Sequence, residues 1–79
     1  MNNMNLEKIV LGIINEIRVA KEMAPVEMVS LDTRLREDLN LTSFDLAELT
    51  VKIEDEFDID IFEDGLVSTV GEIFAKLQA

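Results

Sequence analysis

The sequence lacks cysteine, histidine, tryptophan and tyrosine altogether. Without cysteine, the chain has no disulfide, thiolate metal site or thiol nucleophile of its own. Without histidine, it lacks the side chain most often used as a general base and as a metal ligand. Four phenylalanines are its only aromatic residues, so an aromatic ligand cage is not expected. These absences argue against an enzyme with its own active site.

Basic residues are also scarce, with 7 Lys and Arg against 17 Asp and Glu and a formal net charge of −10. Such an acidic surface repels phosphate backbones, which argues against nucleic-acid binding. It favours basic protein partners and steers their approach. The longest apolar stretch, residues 9–14, is too short to span a bilayer, and the N-terminus lacks the basic segment of a secretory signal. We therefore expect a cytoplasmic protein with no membrane span.

What the sequence does contain is enough apolar material for one small domain over residues 1–79. Hydrophobic residues make up 48% of the chain, which argues against disorder. A first helix is predicted from about Asn5 to Ala24, ended by Pro25 because the residue before a proline avoids helical geometry. Its apolar stripe comprises Leu6, Ile9, Val10, Ile13, Ile17 and Ala20. The residues expected away from that stripe are Lys8, Asn15, Arg18 and Glu22.

Residues 25–41 show no sustained period, and we interpret them as a long ordered loop between the first two helices. Its apolar side chains are expected to pin it to the core: Val26, Val29, Leu31, Leu35 and Leu39. A loop of this length in so small a domain is unusual and often functional. That draws attention to its end, just before Ser43.

A second helix is predicted from about Ser43 to Phe57, with Thr42 or Ser43 as its N-cap and Asp45 complementing the helix dipole. Its predicted core face comprises Leu46, Leu49, Thr50, Ile53 and Phe57. A separate apolar stripe of Phe44, Ala47 and Val51, edged by carboxylates, should point away from the core. That stripe suits a partner-docking helix, and it is equally compatible with ordinary exposed surface.

The rest of the chain completes an all-α prediction. A short helical turn is expected at Phe62 to Leu66, followed by a last helix from Val70 to Gln78. Residues 69–72 (T-V-G-E) form a capping-box motif at the start of that helix. Its apolar side comprises Ile73, Phe74 and Leu77. The predicted fold is a small four-helix bundle with a short third helix.

Ser43 is the candidate modification site. A hydroxyl at a helix N-terminus is exposed, and the amides and dipole there favour a phosphate ester. No histidine or cysteine could activate this serine as a nucleophile, so it would be a substrate for another enzyme. The plain alternative is that Ser43 is a helix cap and nothing more.

The acidic run over residues 54–64 suggests calcium, but it does not fit an EF-hand loop. Placing Gly65 at the glycine position would put Phe62 at a ligand position and Gly71 where the bidentate glutamate belongs. We predict a solvated acidic face and no metal site, with a loose divalent site as the alternative.

Several segments together resemble the acyl carrier protein family. Residues 37–45 (E-D-L-N-L-T-S-F-D), 48–49 (E-L) and 53–61 (I-E-D-E-F-D-I-D-I) are similar to the family patterns E-D-L-G-x-D-S-L-D, E-L and L-E-E-E-F-x-I-x-I. Residues 69–72 resemble the T-V-G-D/E that opens the family's last helix. The resemblance extends over nearly the whole chain.

The resemblance implies that Ser43 carries a 4′-phosphopantetheine arm, attached through a phosphodiester by a phosphopantetheinyl transferase. Acyl groups would be attached to the arm's thiol as thioesters, in fatty acid or polyketide synthesis. It also implies docking of the second helix on basic patches of acyl-transfer, condensing or modifying enzymes. The contacts carried over are Phe44, Asp45, Ala47, Glu48, Val51, Asp55 and Glu56. We expect a monomer that is not an enzyme.

Three positions depart from the family pattern. Thr42 stands where an aspartate usually precedes the modified serine; it can cap the helix but has no charge. Asn40 replaces a glycine, which left-handed backbone geometry tolerates, and Phe62 replaces a proline. The neutral Thr42 keeps an alternative open: an unmodified acidic interaction module, a degenerate carrier that acts as an adaptor.

Overall fold

A computed structural model describes residues 3–78, and three helices account for its regular structure. Helix α1 spans Asn3–Ala20, helix α2 spans Ser43–Phe57 and helix α3 spans Val70–Leu77. The most completely buried residues lie on all three helices and in the segments between them. The all-α prediction is confirmed for the described residues.

Helix α1 ends four residues earlier than predicted. The amides of Glu22 and Met23 donate to the carbonyl oxygens of Val19 and Arg18, both at 2.9 Å, and Glu22 has a φ of 64°. A left-handed residue with these two bonds is a Schellman motif, which satisfies the last carbonyls of a helix. The chain has therefore left the helix before Ala24, so the predicted boundary at Pro25 was wrong.

The predicted apolar stripe of α1 was partly wrong. Ile14 is fully buried and Ala20 is exposed, so the buried face of α1 is rotated from the face that the helical period of the sequence predicts. Arg18, predicted away from the core, is only 8% exposed. Its guanidinium donates to the carbonyl oxygens of Leu39 at 2.6 Å and Ala24 at 3.1 Å. Burial of this charge is tolerated because the guanidinium donors have hydrogen-bond partners. The same hydrogen bonds hold the following loop against α1.

The loop after α1 is pinned to the core by most of the predicted side chains. Val29, Leu35 and Leu39 are buried, and Val26 packs against the core. Leu31 is 61% exposed, which corrects the prediction for that residue. Leu31 is held by its backbone instead, because its carbonyl accepts a 2.9 Å hydrogen bond from the Gly71 amide.

Extended pairing joins this loop to the residues that precede α3. Arg34 and Thr69 form an isolated antiparallel bridge. The Leu35 amide donates to the Ser68 carbonyl, and the Val70 amide donates to the Thr33 carbonyl, both at 2.9 Å. The loop is thereby held beside the start of α3, as well as against α1.

Helix α2 has the predicted limits and the predicted core face. Leu46, Leu49 and Ile53 are buried, while Thr50 and Phe57 are half-buried. Its C-cap, Asp58, is left-handed and donates its amide to the Glu54 carbonyl. The capping box of α3 is confirmed as well, and that helix ends at Leu77 with Gln78 as C-cap.

The predicted four-helix count is wrong, since residues 62–66 are not helical and the chain makes a turn over residues 61–64 instead. Amide hydrogen bonds run from Glu63 to the carbonyl of Asp60 and from Gly65 to that of Phe62, each over three residues. The Asp60 carboxylate accepts from the Phe62 amide at 2.9 Å, and Gly65 has a φ of 133°. A side chain that bonds the backbone two residues on favours a turn over a helix.

None of the helices in the described part of the chain is both long and apolar enough to cross a membrane.

Candidate functional site

Thr42 leaves the hydroxyl of Ser43 free of any capping role. Thr42 is the N-cap of α2, in extended geometry, and its hydroxyl accepts from the Asp45 amide at 3.2 Å. The Asp45 carboxylate in turn accepts from the Thr42 amide at 2.8 Å, which completes a capping box. Ser43 is the first helical residue and is exposed. Of the two predicted caps, Thr42 is therefore correct, and the interpretation of Ser43 as a cap was wrong.

The end of the loop is fixed just before this cap. Asn40 has a left-handed φ of 58°, the geometry expected where asparagine replaces glycine. Its carbonyl accepts from the Lys21 ammonium at 2.8 Å, and Leu41 is buried. Lys21 also pairs with Asp45 at 2.5 Å. One lysine at the end of α1 thus holds both the loop end and the first turn of α2, which positions Ser43.

The Asp45 carboxyl is held as an anion. Its side chain is 13% exposed. Burial by itself raises the pKa of Asp45, but hydrogen bonds from Lys21 and from Thr42 outweigh burial, so its pKa lies below the ordinary value. Asp45 therefore complements the helix dipole and pairs with Lys21 within the chain. As a partner contact, Asp45 stays a prediction.

A groove of about 470 Å³ opens beside Ser43, between the first turns of α2 and the segment over residues 62–69. Apolar side chains line it: Leu46, Ala47, Phe62, Leu66 and Val67. Its polar lining comprises Arg34, Arg36, Glu37, Ser43, Ser68 and Thr69. The groove could hold a slender, mostly apolar chain that starts at the Ser43 hydroxyl.

Two arginines on the loop face this groove in different ways. The Arg36 guanidinium donates to the Ser43 hydroxyl oxygen, Nη1 to Oγ, at 3.2 Å. Arg34 instead pairs with Asp38, with 3.3 Å between Nη2 and Oδ1. The hydrogen bonds from the backbone amide of Arg34 and from its side chain hold the pKa of Asp38 below its ordinary value.

Sequence reasoning missed Arg36 and the groove. No signal in the sequence pointed to Arg36, because it lies in a turn over residues 35–39 that has no hydrophobic period. The groove residues Phe62 and Leu66 could not have been assigned from periodicity, because their segment is a turn with no period.

The second apolar stripe of α2 points away from the core, as predicted. Phe44 is 89% exposed and Val51 is 56% exposed, and Ala47 is exposed where it lines the groove. The acidic side chains predicted beside the stripe, Glu48, Asp55 and Glu56, are exposed too. The stripe starts next to Ser43 and runs along α2, so Phe44 and Ala47 lie at the same end of the helix as the candidate hydroxyl.

Lys52 interrupts the acidic face of α2 and connects it to α1. Its ammonium lies 3.1 Å from the Glu16 carboxylate and 3.9 Å from that of Glu48. The hydrogen bond to Glu16, followed by its charge, raises the pKa of Lys52 above the ordinary value. Lys52 is therefore engaged within the chain, and the remaining carboxylates of α2 give this face its negative charge.

The carboxylates of the acidic run do not converge. Within the described residues, no group of three or more Asp, Glu, Cys or His side chains is arranged to hold a metal ion. Asp60 accepts from the Phe62 amide, and Asp64 lies 3.5 Å from the Lys76 ammonium. These side chains serve the turn and its contact with α3.

Comparison with known proteins points to one kind of protein. Residues 12–76 match the family described as phosphopantetheine attachment site. Over 62 residues the chain is 36% identical to the mitochondrial acyl carrier protein of Saccharomyces cerevisiae, a match covering 75% of this chain and 50% of that protein. Over 54 residues it is 39% identical to the acyl carrier proteins of two Chlamydia trachomatis serovars, L2 and D, covering 66% of this chain and 70% of each relative.

The chain therefore matches half the length of the yeast relative. No solved structure gave a significant match to it.

Proposed function

The chain belongs to the acyl carrier protein family, whose members bear phosphopantetheine and are carriers rather than enzymes, and we propose that Ser43 is the residue that bears the arm. The observation that carries this proposal is the exposed hydroxyl of Ser43, which takes no part in capping α2. It is exposed at the first position of α2, while the neighbouring Thr42 does the capping.

The surroundings of Ser43 fit such an arm. The amide end of α2 favours a phosphate ester, and the Arg36 guanidinium already reaches Oγ. The 470 Å³ groove next to the hydroxyl offers apolar walls to a chain leaving it. In the attachment step, Ser43 Oγ bonds to the pantetheine-side phosphorus of the coenzyme A pyrophosphate, and the bond from that phosphorus to the bridging oxygen breaks. The hydroxyl loses its proton, and the nucleotide half of coenzyme A leaves with the second phosphate.

When attached, the arm supplies a terminal thiol that holds acyl groups as thioesters. This accounts for a carrier whose own sequence has no cysteine. Ser43 then acts as a tether, Lys21 and Thr42 hold the start of α2 in place, and the groove receives the part of the arm nearest the protein. No residue of the chain is required to act as an acid or a base.

The exposed faces of α2 are the proposed docking surface. Its apolar centre and acidic edge are Phe44, Ala47, Glu48, Val51, Asp55 and Glu56. This arrangement fits enzymes with a basic patch: a phosphopantetheinyl transferase, and then acyl-transfer, condensing or modifying enzymes of fatty acid or polyketide synthesis. The cytoplasmic location and the monomeric state stay predictions.

The proposal is tested by incubating the chain with coenzyme A and a broad-specificity phosphopantetheinyl transferase, then measuring intact mass. We expect the wild type to gain one phosphopantetheine and Ser43→Ala to gain none. Thr42→Asp supplies the family's usual charge and keeps a good N-cap, so we expect it to load at least as fast as the wild type.

A second candidate function, the unmodified adaptor, is favoured by the neutral Thr42 and gives the opposite result. An adaptor would stay unloaded with several transferases and in its native host, and Ser43→Ala would leave its function intact. Loading of Thr42→Asp but not of the wild type would also favour the adaptor.

A further inference from the structure

We infer that Arg36 binds the phosphodiester of the arm and so holds the start of the arm against the groove. This inference rests on the proposed attachment at Ser43. It starts from a contact that capping and packing do not require, the 3.2 Å hydrogen bond from Arg36 Nη1 to Ser43 Oγ.

Arg36 has no carboxylate partner among the described residues. Carboxylates outnumber basic side chains by 17 to 7, yet Arg36 forms no ion pair within the described part of the chain. Arg34, two residues earlier, does form an ion pair, with Asp38. Arg36 therefore presents an uncompensated positive charge beside the hydroxyl.

The geometry suits a phosphate on that hydroxyl. After attachment, the two unesterified oxygens share a phosphorus atom with Ser43 Oγ, so a guanidinium that reaches Oγ also reaches them. A phosphodiester carries one negative charge, and the planar fork of arginine donates to two phosphate oxygens at once. Arg36 and Ser43 both line the groove. Holding the phosphodiester toward Arg36 directs the arm along the groove rather than along the exposed stripe of α2.

Because Arg36 is exposed, the pair should add little to overall stability and should weaken in salt. A local spectroscopic readout therefore tests the inference better than a melting temperature does. The phosphorus nucleus of the arm, observed by ³¹P NMR, reports directly on the group that Arg36 is proposed to touch.

The experiment compares four loaded proteins: wild type, Arg36→Gln, Arg36→Lys and, as the matched control, Arg34→Gln. Arg34 is an arginine of the same loop and the same groove, but it pairs with Asp38. Loading is carried to completion with excess transferase and checked by intact mass before any spectrum is recorded.

We expect the ³¹P resonance of Arg36→Gln to differ from that of the wild type, with Arg34→Gln unchanged and Arg36→Lys in between. The difference should shrink at about 1 M salt, where the screening length is about 3 Å. If all four proteins load and share one resonance, the inference is overturned while the attachment at Ser43 stands. If the wild type does not load at all, the proposed function fails and takes this inference with it.

Discussion

At Gly71 the backbone of the loop before α2 lies close against the start of α3. Its amide donates to the Leu31 carbonyl at 2.9 Å, and a Cβ at Gly71 would lie 2.8 Å from that same oxygen. Because the obstacle is backbone, Gly71→Ala must move the loop or the start of α3. We expect the free energy of unfolding in urea to fall by about 1–3 kcal/mol, the usual cost of overpacking.

Gly12 provides the control for that substitution. It lies inside α1 and is exposed, and a Cβ at this position would have nothing within 4 Å. Gly12→Ala should therefore raise the free energy of unfolding by about 0.5–1 kcal/mol, because alanine restricts the unfolded chain and favours the helix. Equal effects of the two substitutions would refute the proposed close contact at Gly71.

At this scale the sequence predicts residues whose roles are local and misses those whose roles depend on distant segments. The start of α2 was predictable because the residues that define it lie within four positions of the sequence: Thr42, Ser43 and Asp45. Arg18 was misassigned because its partners, the carbonyls of Ala24 and Leu39, come from a loop without a period. The hydrogen bond from Arg36 to Ser43 was hidden for the same reason.

At the scale of the elements, α2 combines the candidate site with the proposed docking surface. Reversing charge in Glu48→Lys together with Glu56→Lys should slow association with the transferase by on the order of tenfold at low salt, since the acidic edge steers the encounter. Both side chains are exposed, so the fold should be retained. Association rates from surface plasmon resonance, with circular dichroism to check folding, measure this.

The matched control reverses two exposed acidic residues outside α2, Glu7→Lys together with Glu27→Lys. It makes the same change in net charge, so it separates local steering from the overall field of the molecule. An equal loss of rate in both double variants would mean that α2 is not the steering surface.

Element limits were predictable where the end of a helix is encoded locally. Thr42 with Asp45, and Thr69 with Glu72, form capping boxes that can be read from four residues. The end of α1 was not predictable in this way, because Glu22 adopts left-handed geometry without being glycine or asparagine. The residues after Asp60 were predicted to form a short helical turn, and they do not because the Asp60 carboxylate accepts from the Phe62 amide and favours a non-helical turn.

At the scale of the whole molecule, stability should depend on pH through carboxyls whose pKa values are lowered. Hydrogen bonds from the amides of Ser68 and Thr69 lower the pKa of Glu72. In the same way, bonds from Arg34 lower the pKa of Asp38, and bonds from Lys21 and Thr42 lower the pKa of Asp45. A carboxyl with a lowered pKa stabilises the fold at pH values above its ordinary pKa, here 3.8 for aspartate and 4.5 for glutamate. This stabilisation is lost as the pH falls through the lowered pKa.

Asp45→Asn isolates one of these contributions from the general repulsion among carboxylates. It should lower the free energy of unfolding by about 1 kcal/mol at neutral pH, because the charge-assisted bonds to Lys21 and Thr42 are lost. The difference from the wild type should close as the pH falls below about 3.8, the ordinary aspartate value. Asp55→Asn, an exposed control on the same helix, should show little difference at any pH. A difference between Asp45→Asn and the wild type that stays undiminished at the lowest pH where both remain folded would contradict the assigned bonds.

The central claim is that Ser43, alone among the three serines of the chain, bears the arm. Cleavage after lysine and arginine puts Ser30, Ser43 and Ser68 into three separate peptides, of which residues 37–52 contain Ser43. The most direct test is therefore fragment mass spectrometry of the loaded, trypsin-digested protein. We predict phosphopantetheine on the 37–52 peptide, localised to Ser43, with the other two serine peptides unmodified. An arm on the Ser30 or Ser68 peptide, or a loaded Ser43→Ala variant, would contradict the account.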